Sequence, residues 1–194
     1  MKKALVIILI AALSLMLAAV LVGCSSGGQT DEAKVLMEAG DESYATGMMD
    51  YEGMNEVQGE IANAAMSGDT SAFTGEAGQM LATEFETILE SFSVNMGIAQ
   101  TSYDEIQVLD GVEDYKEYAD LMSQAATLRL SQVDLITALV TDFMAMAAES
   151  EATGVAIDLN VLLESEELAQ LTEIDEEASD LEKQAEDLKQ EKNL

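Results

Sequence analysis

Between residues 112 and 149 the chain carries a helical pattern with a narrow polar face. Glu113, Glu117, Asp120, Gln124, Thr127, Ser131, Asp134 and Thr141 recur at helical intervals, while the other positions are broadly apolar and include Tyr115, Tyr118, Met122, Leu128, Leu130, Val133, Ile136, Leu139, Val140, Phe143 and Met144. A helix that is apolar around most of its circumference must be covered on most sides, so it belongs in the middle of a bundle. At about 1.5 Å per residue it would be about 57 Å long, and it needs partners of similar length. The chain contains no proline, so no ring chemistry interrupts long helices.

Three further segments supply those partners. Residues 31–66 place apolar or small side chains at Ala33, Met37, Gly40, Tyr44, Met48, Tyr51, Met54, Ile61 and Ala65, and Asp31 and Glu32 suit a helix N-terminus. Gly40, Gly47, Gly53 and Gly59 weaken this helix and mark either a break or close helix packing. Ser67-Gly68-Asp69 reads as a turn. Residues 72–100 carry a stripe of Ala77, Leu81, Phe85, Ile88, Phe92, Met96 and Ala99. Ser102 and Glu105 match a capping box for the next helix, and Asp110-Gly111 is a further turn signal. After a break at Thr153-Gly154, Val155, Ile157, Leu159 and Val161 alternate as a strand would. No partner strand is in view, so this stretch reads as a loop leading into a helix over 160–190. There Leu171, Ile174, Ala178, Leu181, Ala185 and Leu188 are spaced 3-4-3-4-3, a short heptad run. That run either packs on the bundle or projects as an amphipathic arm.

Charge and missing residue types narrow the function. The chain has 38 acidic and 8 basic residues, a formal net charge of −30. Such a surface repels nucleic acid and anionic lipid headgroups. It leaves weak binding of divalent cations as an option. There is no histidine, hence no imidazole base, no Ser-His pair and no His-ligated metal. No phosphate-cradling glycine loop or EF-hand spacing is present. Carboxylate pairs abound, but with 38 acids chance pairs arise everywhere. The expectation is a protein with no catalytic residues, no metal site and no cofactor.

Arg129 is the only arginine, and it sits between Leu128 and Leu130 in the most apolar segment. Lys34, Lys116 and Arg129 are the only basic residues between the leader and Lys183. Two readings stand for Arg129. A buried guanidinium could grip a carboxylate ligand in a pocket, or it could pair with an acid of a neighbouring helix or snorkel to the surface. Met48-Met49 and Met144-x-Met146 read as adaptable core filling or, less favourably, as thioether ligands for Cu(I). Tyr44 and Tyr51, on one helical face, read as bundle-edge packing.

The N-terminus settles on a different kind of chemistry. Met1-Lys2-Lys3 is followed by an apolar run from Ala4 to Val22, broken only by Ser14, and then by Gly23, the sole cysteine Cys24, and Ser25-Ser26-Gly27-Gly28. Such a run is also close to the roughly 20 residues needed to span a bilayer, which leaves an uncleaved anchor as the alternative. Leu21-Val22-Gly23-Cys24, however, resembles the lipobox of prokaryotic lipoproteins. The resemblance covers residues 1–24. It implies a signal peptide over 1–23, cleavage between Gly23 and Cys24, and a diacylglyceryl group with palmitate-type chains on Cys24. It also implies residence on the extracytoplasmic side of the cell membrane, or at an outer membrane where the cell has one. Two acyl chains make physical sense, because one alone binds membranes only marginally.

The sequence therefore predicts an all-α protein, an antiparallel bundle of three to four long helices behind a lipoprotein signal peptide. Residues 24–30 form a lipidated tether and 31–164 an acidic bundle. Residues 165–194 form a C-terminal acidic amphipathic helix that either joins the bundle or projects. The expected role is a structural or protein-interaction module in the cell envelope, with a protein partner there and the membrane reached through Cys24. The alternatives are a ligand-binding or sensory bundle with a pocket near Arg129, and cation or metal handling by carboxylates or methionines.

Overall fold

The computed structural model describes residues 28–67, 73–155, 157–158 and 160–194. The leader, Gly23 and Cys24 lie outside the described residues. The chain forms α1 (Gly28–Ser67), α2 (Gly75–Ile106), α3 (Glu113–Thr153), a single turn α4 (Asn160–Leu163) and α5 (Glu166–Lys192). Among the described residues there is no strand. The fold is an all-α bundle of four long helices.

Cross-helix bonds fix the topology. Asp50 on α1 accepts from Ser91 and Asn95 on α2, while Asp41 accepts from Tyr103. Rising numbers on α1 thus meet falling numbers on α2. Gln100 donates to Thr127 and Ser123 to Asp104, which sets α3 antiparallel to α2. Lys192 pairs with Asp114 and Arg129 with Asp175 and Glu182, which sets α5 antiparallel to α3. One end of the bundle, the near end, gathers Gly28, the α2–α3 connection and the C-terminus. The far end gathers Ser67, Gly75 and the connection from α3 to α5. α3 touches all three other long helices, as its broad apolar surface requires. It is also long and apolar enough to cross a membrane, by length and composition only. Glu113, Glu117, Asp120, Gln124, Thr127, Ser131, Asp134 and Thr141 are all exposed.

The main core joins Phe85, Phe92, Met96, Tyr103 and Ile106 of α2 to Met37, Tyr44 and Met54 of α1 and to Tyr118, Met122 and Ile136 of α3. A second, smaller cluster lies at the far end, where Phe73 meets Phe143 edge-on at 5.0 Å and Ile61, Leu81, Met144 and Ile157 pack around them. Gly40 and Gly47 of α1 serve close packing, not a break. A Cβ on Gly40 would lie 2.5 Å from Tyr103 Cε1, and one on Gly47 would lie 2.7 Å from Met96 Cε. Gly53 and Gly59 have nothing within 4 Å of that position and leave α1 unbroken all the same.

The structure departs from the sequence expectations in four places. Residues 28–30 belong to α1 and not to a tether, because the Gln29 carboxamide accepts the Asp110 backbone N–H at 2.7 Å and ties down the first turn. α2 runs on to Ile106, so Ser102 is a buried residue inside it and caps nothing. The reason is packing: Tyr103 and Ile106 carry the buried stripe nearly two turns beyond Ala99. Ala77 is exposed; Gly78 takes the buried position against the Phe73 backbone. Finally, α5 starts at Ser165, whose hydroxyl accepts from the Leu168 N–H at 3.2 Å; that is the usual cap for an orphaned donor. Gly154, at φ 70°, closes α3 in the left-handed region, which glycine enters without a Cβ clash.

The heptad run on α5 is covered. Leu171, Ala178 and Ala185 are buried, and Leu181 and Leu188 pack against the main core. The two alanines let α5 lie close to α3 along its length. The C-terminal helix is part of the bundle, not a projecting arm.

Candidate functional site

The polar centre of the molecule is built by α3, α5 and α1 together. Asp175, Glu182 and Lys189 fall seven residues apart on α5, one stripe away from Leu171, Ala178 and Ala185. Packing the small-residue stripe on α3 turns the polar stripe towards α1. Arg129, on the buried face of α3, is 2% exposed. Its Nε and Nη2 donate to Glu182 Oε1 at 3.1 and 2.8 Å. Nη1 donates to Asp175 Oδ1, and Nη2 also reaches Ser179 Oγ at 3.3 Å. The guanidinium lies 5.4 Å from the centroid of the Tyr51 ring, close enough for cation–π attraction. From α1, the Tyr44 hydroxyl donates to Glu182 at 2.6 Å and that of Tyr51 to Asp175 at 3.4 Å.

A second node lies nearer the C-terminus. Asp41 accepts from the hydroxyls of Tyr103 and Tyr118 at 2.9 and 2.7 Å and from Lys189 Nζ at 2.5 Å. Lys189 also sits 5.4 Å from the Tyr118 ring centroid. The two nodes form a polar seam between α1 and α5.

Burial shapes the titration of these groups. Desolvation raises the Tyr44, Tyr51, Tyr103 and Tyr118 hydroxyls above their ordinary range, and the carboxylates they donate to raise them further. Desolvation alone would lower the Arg129 guanidinium, but its bonds to Glu182 and Asp175 outweigh that and raise it. At neutral pH the phenols are protonated donors and the guanidinium is charged. Every nitrogen of Arg129 is engaged by the protein. The cluster therefore acts as a cross-brace. Of the two readings of Arg129, the structure contains the buried ion pair.

Gln132, one turn after Arg129, is fully buried, and neither atom of its carboxamide has a hydrogen-bond partner. Two depressions lie elsewhere. One is an apolar void between Val57, Leu81, Phe85, Val140 and Met144; the other is an open trough beside Glu76, Met80 and Thr87 on α2. Both lie in the half away from Lys189, and Arg129 lines neither. Among the described residues no three carboxylates converge as a metal-ligand set.

Sequence reasoning singled out Arg129 and noted Tyr44 and Tyr51. It missed Asp41, Asp175, Glu182, Tyr103, Tyr118 and Gln132. The available signal was the seven-residue recurrence of Asp175, Glu182 and Lys189 beside the heptad run. Cys24 and Gly23 lie outside the described residues.

Fold and site together define an acidic four-helix bundle braced by a buried arginine. The chain matches no known family model, no characterised protein and no solved structure.

Proposed function

We propose that the protein is a lipid-anchored extracytoplasmic lipoprotein that works as a structural or protein-interaction module and carries no catalysis. The observation that carries this reading is the sole cysteine, Cys24, placed directly after the apolar leader in Leu21-Val22-Gly23-Cys24. The structure is consistent with it in two respects. α1 begins at Gly28, four residues beyond Cys24, so a bundle anchored there would stand directly on the membrane. The 40 residues of α1 would carry the far end about 60 Å outward at about 1.5 Å per residue. The polar groups at the centre are spent on holding helices together, which leaves the outer faces as working surface. Arg129 paired with two acids gives no support to a ligand pocket beside it.

The test is Cys24→Ser in cells, with fractionation, size analysis and labelled palmitate. The wild type should incorporate label and partition with membranes. The variant should incorporate none and either remain unprocessed or leave the membrane. Equal label, size and partition for the two would refute the reading.

A further inference from the structure

We infer that the far end of the bundle docks a cationic amphipathic segment of a partner protein. The inference rests on the reading of this protein as an interaction module and names the surface and its occupant.

The first observation is where apolar side chains are left uncovered. Met66, Met80, Val155, Val161 and Leu163 are 61–72% exposed. Each lies within six positions along the chain of Ile61, Leu81 or Ile157, which the second core cluster brings together. Met66 and Met80 lie near the far ends of α1 and α2, and Val155, Val161 and Leu163 lie in the connection from α3 to α5. Exposed large apolar residues gathered at one site are the usual mark of an interaction surface. The near end exposes Val35 and Val108, in the half of the bundle that holds the lysines.

The second observation is charge, and it selects the occupant. No lysine or arginine occurs from residue 35 to 115 or from 130 to 182. The five lysines outside the leader, Lys34, Lys116, Lys183, Lys189 and Lys192, all lie in the near half. The far end instead carries Glu60, Glu76, Asp142, Glu149, Glu164 and Glu167, with no basic side chain among them. A second copy of this chain would bring the same negative field against itself. Anionic lipid and nucleic acid are repelled likewise. A segment with lysines or arginines on one face and leucine-like residues on the other satisfies both features. Its cations would be steered in by the field, and its apolar face would cover the exposed methionines and leucine.

Site-specific photo-crosslinking of the full chain in nanodiscs of neutral phosphatidylcholine tests this. The probe is an 18-residue amphipathic helix of Lys and Leu, and a control peptide has every Leu replaced by Ser. A photo-reactive side chain is placed at position 163 or, for comparison, at 108. Yield at 163 should exceed that at 108 by about tenfold. It should fall by about tenfold with the Ser peptide or in Met66→Gln/Met80→Gln, as expected when a few buried apolar side chains are lost. It should also drop severalfold in 0.5 M salt, where screening shortens the field to a few ångströms. Comparable yields at 163 and 108, insensitivity to salt, or retention of the Ser peptide would each overturn the proposal. Crosslinks from 163 to a second copy of the chain would replace the cationic partner with self-association. Lipidation is not needed in this assay. Loss of docking here with normal palmitate labelling in cells therefore removes only this inference, and the reverse result removes only the anchor.

Discussion

Replacing Glu182 with leucine strikes the centre of the brace. Glu182 Oε1 accepts from Arg129 Nε at 3.1 Å, from Arg129 Nη2 at 2.8 Å and from Tyr44 at 2.6 Å. With the acceptor gone, Arg129 remains 2% exposed and keeps only Asp175, Ser179 and the Tyr51 face. Breaking a buried pair by removing one partner costs about 3–5 kcal/mol, and the orphaned Tyr44 hydroxyl accounts for about 1–3 kcal/mol of it. Leucine returns part of this by burying apolar surface, so a net loss of about 3 kcal/mol is expected. For a chain of this size that is about 6–12 °C in Tm. Urea unfolding of the full chain in neutral detergent, followed by helical circular dichroism, measures it. Glu177→Leu, at an exposed position on the same helix, controls for the lost charge and should stay within about 0.5 kcal/mol of wild type. Arg129→Met combined with Glu182→Leu removes both charges and should recover at least about 1.5 kcal/mol relative to the sum of the single changes. If Glu182→Leu matches Glu177→Leu, or the double change is simply additive, the cluster is not a brace.

The glycines of α1 give opposite signs. Gly40→Ala pushes a Cβ to 2.5 Å from the Tyr103 ring, so overpacking of about 1–3 kcal/mol should exceed the gain in helix propensity of about 1 kcal/mol. Gly53→Ala, with open space around it, should stabilise by about 0.5–1 kcal/mol; equal effects in urea unfolding would sink the packing argument. Gln132→Leu removes a buried amide without partners and should stabilise by about 1 kcal/mol, so a loss of that size would show that the amide is bonded after all. The tyrosine hydroxyls hold their protons more tightly folded than unfolded, so their contribution is complete below pH 10.0, the ordinary phenol value, and is lost as pH rises beyond it. Phenolate absorbance from Tyr103, isolated by difference against Tyr103→Phe, should appear only together with loss of helix; ionisation ahead of unfolding contradicts the buried assignment.

The helices were legible because their cause is local. The narrow polar stripe of α3 and the alternating 3-4 spacing on α5 state which faces turn inward; the structure buries Tyr118, Met122, Ile136, Phe143, Leu171, Ala178 and Ala185 and leaves Leu130, Val133, Leu139 and Val140 half-buried. Boundaries set by distant contacts were not legible. Gln29 extends α1 through Asp110, a partner 81 residues away, and Tyr103 prolongs α2 because Gly40 leaves room for its ring. The brace was half legible. A lone arginine between two leucines in the most apolar helix demands a counter-charge. Which of 38 acids supplies it depends on α5 docking through its alanine stripe, and that register is a property of packing.

A chain of net charge −30 repels itself, and the compact state must be held against that repulsion. Where its few cations sit is therefore an energetic choice. Lys34 and Lys116 pair within their own helices with Glu38 and Glu113 at 4.0 and 3.8 Å, contacts worth little at a surface. Arg129, Lys189 and Lys192 behave differently, for each joins α5 to another helix: Arg129 through Asp175 and Glu182, Lys189 to Asp41, and Lys192 to Asp114. α5 is crowded with Glu and Asp and would be the first helix to leave an acidic bundle. Lys189, Lys192 and the single arginine facing α5 lie where departure must be resisted. The same economy leaves the far half with no positive charge at all. The scarcity that braces one end is what makes the other a surface for a cationic partner.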